Sequence, residues 1–278
     1  MLKLYKSIWR KCCKSICSIR FINSNDIEVL CVTGFKSGNY IFTSDLVNKP
    51  HTYEIAEIQF VADDGFTPTA TTRLTQHDFD DVLITSYDEE ITGFAVISTA
   101  DMDLEQIPPL PFANSGSIGI GQPVAVMGFQ YDNPNLTIKS GILSTFVFHN
   151  GIRYLQFDGS IIWGNSGSPL IDLETQEVLG IIGYKLDQKH KAYERMIEII
   201  KSNVKMLEKA QGEIDIKGVD PIQVLIAWQK QIKQLSNEIY KSSGNDTGIA
   251  IDIQKVKELI TLTGIEAFWQ HKTIKQSR

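Results

Sequence analysis

Residues 157–170 read FDGSIIWGNSGSPL, and residues 164–170 (GNSGSPL) carry the most specific chemical pattern in the chain. Glycines on both sides of Ser166 let the backbone turn tightly enough to expose the serine hydroxyl. The same turn points the backbone N–H groups of Gly164 and Ser166 into one hollow, where they could hold the oxyanion of a tetrahedral intermediate. A plain Gly/Ser turn between two strands is the competing interpretation, and the length of the matching pattern disfavours it.

The amino-acid composition restricts the classes of protein to which the chain can belong. The 278 residues are 42% hydrophobic and 22% charged, which is typical of a soluble globular protein with a substantial core. The net charge of -6 and the pI near 5.4 argue against nucleic-acid binding, which requires a concentrated positive face. No apolar run is long enough for a membrane helix and no signal-peptide core is present, so we expect a cytoplasmic protein. No cofactor is predicted.

The cysteines and the acidic runs give no sign of a metal site or a disulfide framework. All four cysteines lie near the N-terminus, and the adjacent Cys12 and Cys13 are poorly placed for disulfides. No histidine lies near them to complete a zinc set. The acidic residues at 63–64 and 78–81 lack the ligand spacing and glycine of a calcium loop. We therefore predict reduced thiols, solvated acidic loops and no bound metal.

Residues 1–20 predict a basic amphipathic helix. Apolar side chains recur there at helical spacing, and the segment contains no acidic residue. Such a helix could lie on a membrane, with Cys12 and Cys13 as acylation sites. Docking of the apolar stripe on the following domain is the favoured interpretation. The basic residues are Lys3, Lys6, Arg10, Lys11, Lys14 and Arg20.

From residue 18 to residue 184 the pattern is that of a β protein. Short apolar runs alternate with Gly, Asn and Asp, which is typical of an all-β sandwich or a pair of barrels. The segment PPLP at 108–111 makes a natural linker between two sets of strands. We therefore predict one barrel over residues 21–107, a second over residues 108–186, and a cleft between them.

A helical segment follows the second set of strands. Apolar residues with alternating spacings of three and four predict two helices packed as an antiparallel hairpin over residues 187–247, although each helix could instead pack on the barrels. Asp220 is the expected N-cap, with Pro221 at the first helical position. Residues 248–278 then predict a closing strand of the second barrel and a C-terminal helix, so the hairpin is inserted near the end of that barrel.

Several of these segments together resemble the bacterial HtrA/Deg-type trypsin-like serine peptidases. They are NYIFTSDLV at 39–47, ITGFAVI at 91–97, the Ser166 loop, and the strand GIAIDI at 248–253. The resemblance implies a mainly β fold with added α structure: two six-stranded antiparallel β-barrels, here carrying an inserted helical hairpin and a C-terminal helix. We expect no PDZ module in these 278 residues, and the hairpin has no counterpart in the family pattern.

The resemblance also assigns the positions of a catalytic triad, and two of them are degenerate. Ser166 takes the nucleophile position, but Leu46 stands where the family has its histidine and Gly93 where it has its aspartate. A serine hydroxyl is a weak nucleophile until an adjacent base removes its proton. Loss of the base alone costs on the order of a million-fold in turnover in the subtilisin example. Asp45, beside Leu46, is interpreted as a solvated residue.

A relocated base is the alternative. His51 is the nearest candidate in sequence, but Pro50 intervenes, so His51 would need a rearranged loop to reach Ser166. His77 lies in an acidic loop that could fold over the cleft. The remaining histidines are expected at the surface or in packing roles. They are His149, His190 and His271.

Three functions follow from these observations. The first is a catalytically degenerate pseudoprotease that binds a protein or peptide at the former active site, where an exposed strand edge suits β-augmentation. The second is an active serine endopeptidase that uses Ser166 with a relocated histidine. The third is a scaffold that binds a partner chain through residues 188–243.

Overall fold

The computed structural model describes residues 2–50, 52–114, 118–131, 133–183, 188–212, 220–242 and 245–262. Within these ranges the chain divides into two compact units. One contains residues 1–184 and 245–278, and the other contains residues 185–244.

The first strand set of the larger unit is a seven-stranded antiparallel sheet. Its strands are β1 (Ile16–Ile22), β2 (Glu28–Ser37), β3 (Tyr40–Thr43), β4 (Ile55–Val61), β5 (Pro68–Thr75), β6 (Leu83–Tyr87) and β7 (Phe94–Ser98). They are ordered β5-β4-β1-β2-β3-β7-β6. Helix α2 (Gln76–Val82) connects the two edge strands and begins at a capping box between Thr75 and Asp78. Phe79 of this helix packs edge-on against Phe21 in the core below the sheet.

The second strand set is a closed six-stranded barrel. Its strands are β8 (Pro123–Gln130), β9 (Asn133–His149), β10 (Ile152–Ile161), β11 (Pro169–Asp172), β12 (Val178–Gly183) and β13 (Asn245–Asp252), in the order β10-β13-β12-β11-β8-β9. A two-residue turn joins β9 to β10, and both of its residues, Asn150 and Gly151, have positive φ. Asn-Gly is the pair that this hairpin turn favours. The predicted mainly β architecture is confirmed, with one closed barrel and a second sheet.

The N-terminal helix α1 (Leu2–Cys12) ends before residue 20, because β1 already begins at Ile16. Its apolar stripe is turned inward, since Ile8 and Cys12 are fully buried in the core. Trp9 Nε1 donates to the backbone oxygen of Asp63 at 2.7 Å. The basic side chains of α1 are thereby left on its outer face. None of the helices in the described ranges is long and apolar enough to cross a membrane.

The smaller unit contains an antiparallel pair of helices, α3 (Gln188–Lys209) and α4 (Pro221–Ser242). Near one end of the pair, the rings of Tyr193 and Tyr240 stack with centroids 4.0 Å apart. Asp220 Oδ1 accepts from the backbone N–H of Ile222 at 2.8 Å and so caps α4. The hairpin lies in the chain between β12 and β13, two strands that pair with each other in the barrel. Helix α5 (Ile253–Leu262) follows β13.

We expect the four cysteines to be unreactive in the folded protein. All four are free and buried, and burial raises the pKa of Cys12 to about 11 and that of Cys31 to about 12. A maleimide reacts with the thiolate, so the folded chain at neutral pH should remain unmodified and the unfolded chain should take up four labels. Ser144→Cys, at an exposed position of β9, is the matched control and should be labelled at once. Rapid labelling of the folded parent chain would contradict this packing.

Candidate functional site

The backbone of the Ser166 loop adopts a conformation that requires glycine at two positions. Gly164 has φ +94° and Gly167 has φ +86°. A Cβ added to Gly164 would lie 2.9 Å from the carbonyl oxygen of Phe129, closer than real Cβ atoms approach. Asn165 fixes the turn from inside, because its Nδ2 donates to the same Phe129 oxygen at 2.7 Å and its backbone oxygen accepts from Ser168 at 3.0 Å. The loop is therefore a rigid turn.

Thr33 on β2 joins this loop to the first sheet. Its backbone N–H donates to the carbonyl oxygen of Ser166 at 2.8 Å, and its hydroxyl donates to the carbonyl oxygen of Gly164 at 2.7 Å. The same hydroxyl accepts from the backbone N–H of Phe129 on β8 at 2.9 Å. One buried threonine thus holds Ser166 at the junction between the sheet and the barrel.

The arrangement leaves three groups without partners at Ser166. In the ranges that the structure describes, the backbone N–H groups of Gly164 and Ser166 have no hydrogen-bond acceptor. The hydroxyl of Ser166 also makes no hydrogen bond there, although the residue is only 3% exposed. Two unpaired N–H groups in one turn provide the donors that an oxyanion or a peptide carbonyl needs.

The structure places the backbone just before Leu46 against the Ser166 loop. A Cβ on Gly167 would lie 2.7 Å from the backbone nitrogen of Ser44, two residues before Leu46. Leu46 itself lies in the short 3₁₀ turn Asp45–Asn48, and its half-buried side chain packs on the core of the first sheet. Gly93 is buried just before β7. Leucine and glycine offer no group that can take a proton from Ser166.

Asp45 was misassigned from sequence. The prediction of a solvated carboxylate is wrong, because Asp45 is only 3% exposed. The Ser44 hydroxyl donates to its Oδ1 at 3.1 Å. Its Oδ2 lies 2.9 Å from the point that a Cβ on Gly93 would occupy. Asp45 is buried because it contacts Gly93, which is distant in the chain. The residues around Asp45 in the sequence give no sign of this contact.

The two histidines whose side chains the structure describes make contacts away from Ser166. His77 is 84% exposed in its side chain and lies 3.2 Å from Asp81 on its own helix. His149 pairs with Glu90 at 2.9 Å. His190 belongs to α3, in the other unit. His51 and His271 lie outside the described residues, so the role of His51 as an alternative base stays a prediction.

Lys139 on β9 is a member of this site that the sequence did not suggest. Its Nζ donates to Asn165 Oδ1 at 2.7 Å, so a cation holds the residue that precedes Ser166. Burial lowers the pKa of Lys139 to about 8. The described residues show no hydrogen bond between Lys139 and Ser166. We therefore interpret Lys139 as a support for the loop. A single lysine in an alternating strand gives no signal for such a role.

The low pKa of Lys139 has a consequence for stability. The pKa of Lys139 is about 8 in the folded chain, against an ordinary value of 10.5. Between these two pH values, the unfolded chain therefore binds more protons at Lys139 than the folded chain does. The contribution of Lys139 to the free energy of unfolding should therefore rise with pH across this window. In urea unfolding, the free energy of unfolding of the parent minus that of Lys139→Met should increase as pH rises across this window. A difference independent of pH would contradict the assignment.

Comparison with known proteins gives consistent matches. The model of the family described as "Trypsin-like peptidase domain" matches residues 32–181, more than half of the chain. Mitochondrial serine protease HTRA2 of Bos taurus is 35% identical over 85 residues, which is 28% of this chain and 18% of that protein. HTRA2 of Drosophila willistoni is 26% identical over 149 residues, which is 51% of this chain and 29% of that protein. The matched stretches thus span less than a third of those relatives' own length.

Two solved structures are also similar. The HtrA-type protease AlgW, solved with a tripeptide, aligns with a TM-score of 0.49 and 18% identity over 64% of this chain and 53% of its own. A serine endoprotease from Yersinia pestis aligns with a TM-score of 0.48 and 22% identity over 64% of this chain and 56% of its own.

Proposed function

Because the chain belongs to the trypsin-like peptidase domain family, we propose that it is a catalytically degenerate member that binds an extended peptide at the Ser166 loop. The observation that carries this proposal is a pair of free donors beside a serine that contacts no base among the described residues. Gly164 and Ser166 keep their N–H groups available, whereas Leu46 and Gly93 stand at the positions of the family's histidine and aspartate.

The chemistry supports binding over turnover. Hydrolysis by a serine requires that a base take the hydroxyl proton as the Oγ–C bond forms. The described contacts of Ser166 include no such base. Binding requires only hydrogen-bond donors held in place, and the contacts of Thr33 and Asn165 hold the loop rigidly. A rigid loop reduces the ordering cost of taking up a peptide carbonyl.

Fluorescein-labelled reduced casein is a suitable probe, since it is unfolded and offers many extended segments. We expect the parent chain to bind it without cleaving it. Gly164→Pro removes one of the two N–H donors and also displaces the turn, because proline cannot adopt the φ of +94°, so it should weaken binding. Gly38→Pro, in an exposed turn between β2 and β3 and likewise at a positive φ, is the control and should leave binding unchanged. Ser166-dependent cleavage of casein would favour the active endopeptidase with a relocated histidine instead.

The hairpin supports a second role, as a protein-docking element. On α4 the stripe predicted to be apolar contains Leu225, Trp228 and Leu235, which are exposed, Trp228 by 59%. Their spacings of three and seven match a coiled-coil seam, which a second copy of the chain could cover symmetrically. Sedimentation of the parent should then show a dimer and that of Trp228→Glu/Leu235→Glu a monomer. A monomeric parent at micromolar concentration would rule out this second copy.

The compartment is also a proposal. We propose a cytoplasmic location, supported by four free, buried thiols that a reducing environment maintains.

A further inference from the structure

The position of the family's aspartate is closed to any side chain. A Cβ built on Gly93 would lie 1.8 Å from the carbonyl oxygen of Tyr87 and 2.8 Å from its carbonyl carbon. Both atoms belong to the backbone at the end of β6, so rotation of a side chain cannot relieve the overlap. The chain therefore has not merely lost the aspartate at residue 93. The backbone of Tyr87 now occupies the space through which such a side chain would leave Gly93.

A different carboxylate lies next to this position. Asp45 Oδ2 lies 2.9 Å from the point that a Cβ on Gly93 would occupy. Asp45 immediately precedes Leu46, at the histidine position, in the same 3₁₀ turn. The Ser44 hydroxyl donates to its other oxygen at 3.1 Å, which fixes the side chain.

The surroundings of Asp45 are those of a buried polar site. Burial raises the pKa of Tyr154 on β10 to about 12, with smaller contributions from Glu89, then Tyr87, then Asp45.

We infer that Asp45, supplied from the segment before residue 46, is the carboxylate of this site in place of residue 93. The inference rests on the proposed function, in which the site lacks a base at residue 46. On this inference the site keeps its nucleophile, its oxyanion donors and a carboxylate. The base at residue 46 is the one part of the triad that it lacks. Asp45 is then a positioning residue for any imidazole presented at residue 46.

Leu46→His tests this directly. With a fluorophosphonate probe, the new imidazole would take the proton of Ser166 Oγ, the Oγ–P bond would form and the P–F bond would break, releasing fluoride. The carboxylate holds the imidazole in the productive tautomer, and its replacement by an amide costs about 10⁴-fold in the trypsin-like template. We expect Leu46→His to gain labelling that Ser166→Ala abolishes. Adding Asp45→Asn should slow that labelling by at least ~100-fold.

Matched variants distinguish a role of Asp45 in positioning the imidazole from an effect of Asp45 on the stability of the fold. Glu57→Gln changes a different buried carboxylate, which pairs with Arg20 and Arg73 in the first sheet, and in the Leu46→His background it should leave labelling unchanged. Asp45→Glu keeps the charge and should label faster than Asp45→Asn. Thermal unfolding confirms that each compared variant is folded.

The labelling results distinguish the positioning role of Asp45 from the proposed absence of a base at residue 46. Equal labelling rates for folded Leu46→His and folded Leu46→His/Asp45→Asn would overturn the role of Asp45. A folded Leu46→His chain that does not label would also overturn it. Labelling of the unaltered parent at Ser166 would instead overturn the proposed loss of the base.

Discussion

Gly167→Ala should destabilise the larger unit more than any other single methyl addition in the Ser166 loop. The added Cβ would lie 2.0 Å from the carbonyl oxygen of Thr33, 2.5 Å from Thr43 Oγ1 and 2.7 Å from the backbone nitrogen of Ser44. Two of these atoms are backbone, so the first sheet and the loop must move apart. Overpacking of this kind costs about 1–3 kcal/mol or more, and a positive φ adds about 1 kcal/mol for alanine. We expect a loss of about 4 kcal/mol in the free energy of unfolding.

Gly151→Ala is the control for the backbone conformation alone. Gly151 has φ +74°, close to that of Gly167, but a Cβ there meets nothing within 4 Å. This variant should lose only about 1 kcal/mol. Urea unfolding of both variants measures the difference. Similar losses in the two would mean that Gly167 is not packed against Thr33 and Ser44.

Gly93→Ala should also lower the free energy of unfolding strongly, though less than Gly167→Ala. Its Cβ would lie 1.8 Å from the backbone oxygen of Tyr87, which must shift together with the end of β6. We expect a loss of about 3 kcal/mol or more in the free energy of unfolding. Gly93→Asp should be at least as damaging. It should therefore give no fluorophosphonate labelling on its own and no faster labelling than Leu46→His alone when the two changes are combined.

Gly119→Ala provides the comparison for this position. Gly119 is exposed, and a Cβ there meets nothing within 4 Å. Its free energy of unfolding should stay within about 0.5 kcal/mol of the parent value. If Gly93→Ala were as stable as Gly119→Ala, the space beside Tyr87 would be open and an aspartate at residue 93 could be accommodated.

The parts of the fold that the sequence predicted well are those with a local signature. The Ser166 loop is marked by its glycines, the hairpin helices by spacings of three and four, and the start of α4 by Asp220 and Pro221. The turn between β9 and β10 carries a local signature of the same kind, Asn150-Gly151. In each case the residues that make the structure are neighbours in the chain, so their pattern can be read directly.

The features that the sequence did not reveal depend on contacts across the fold. Asp45 is buried because it meets Gly93, which is far away in sequence. Lys139 is recognisable as part of the site only once β9 is placed beside Asn165. A lone aspartate or lysine is most often solvated, and only tertiary structure shows these two to be exceptions.

These contacts give a consistent account of the site. The loop, its free N–H groups and a buried carboxylate remain in place, while residue 46 provides no base. A side chain at residue 93 would overlap the backbone of Tyr87, and Asp45 is the buried carboxylate beside that position. On the proposed function, such a site holds a carbonyl group, and the described residues supply no base to activate Ser166.

Labelling of the unaltered chain with a fluorophosphonate probe tests this claim most directly. The probe reacts with a serine only when a base activates the hydroxyl. A folded, active trypsin-like peptidase serves as the positive control, and Ser166→Ala as the negative one. We expect the parent chain to label no faster than Ser166→Ala. Rapid labelling of the parent that Ser166→Ala abolishes would contradict the account and show that a working base reaches Ser166.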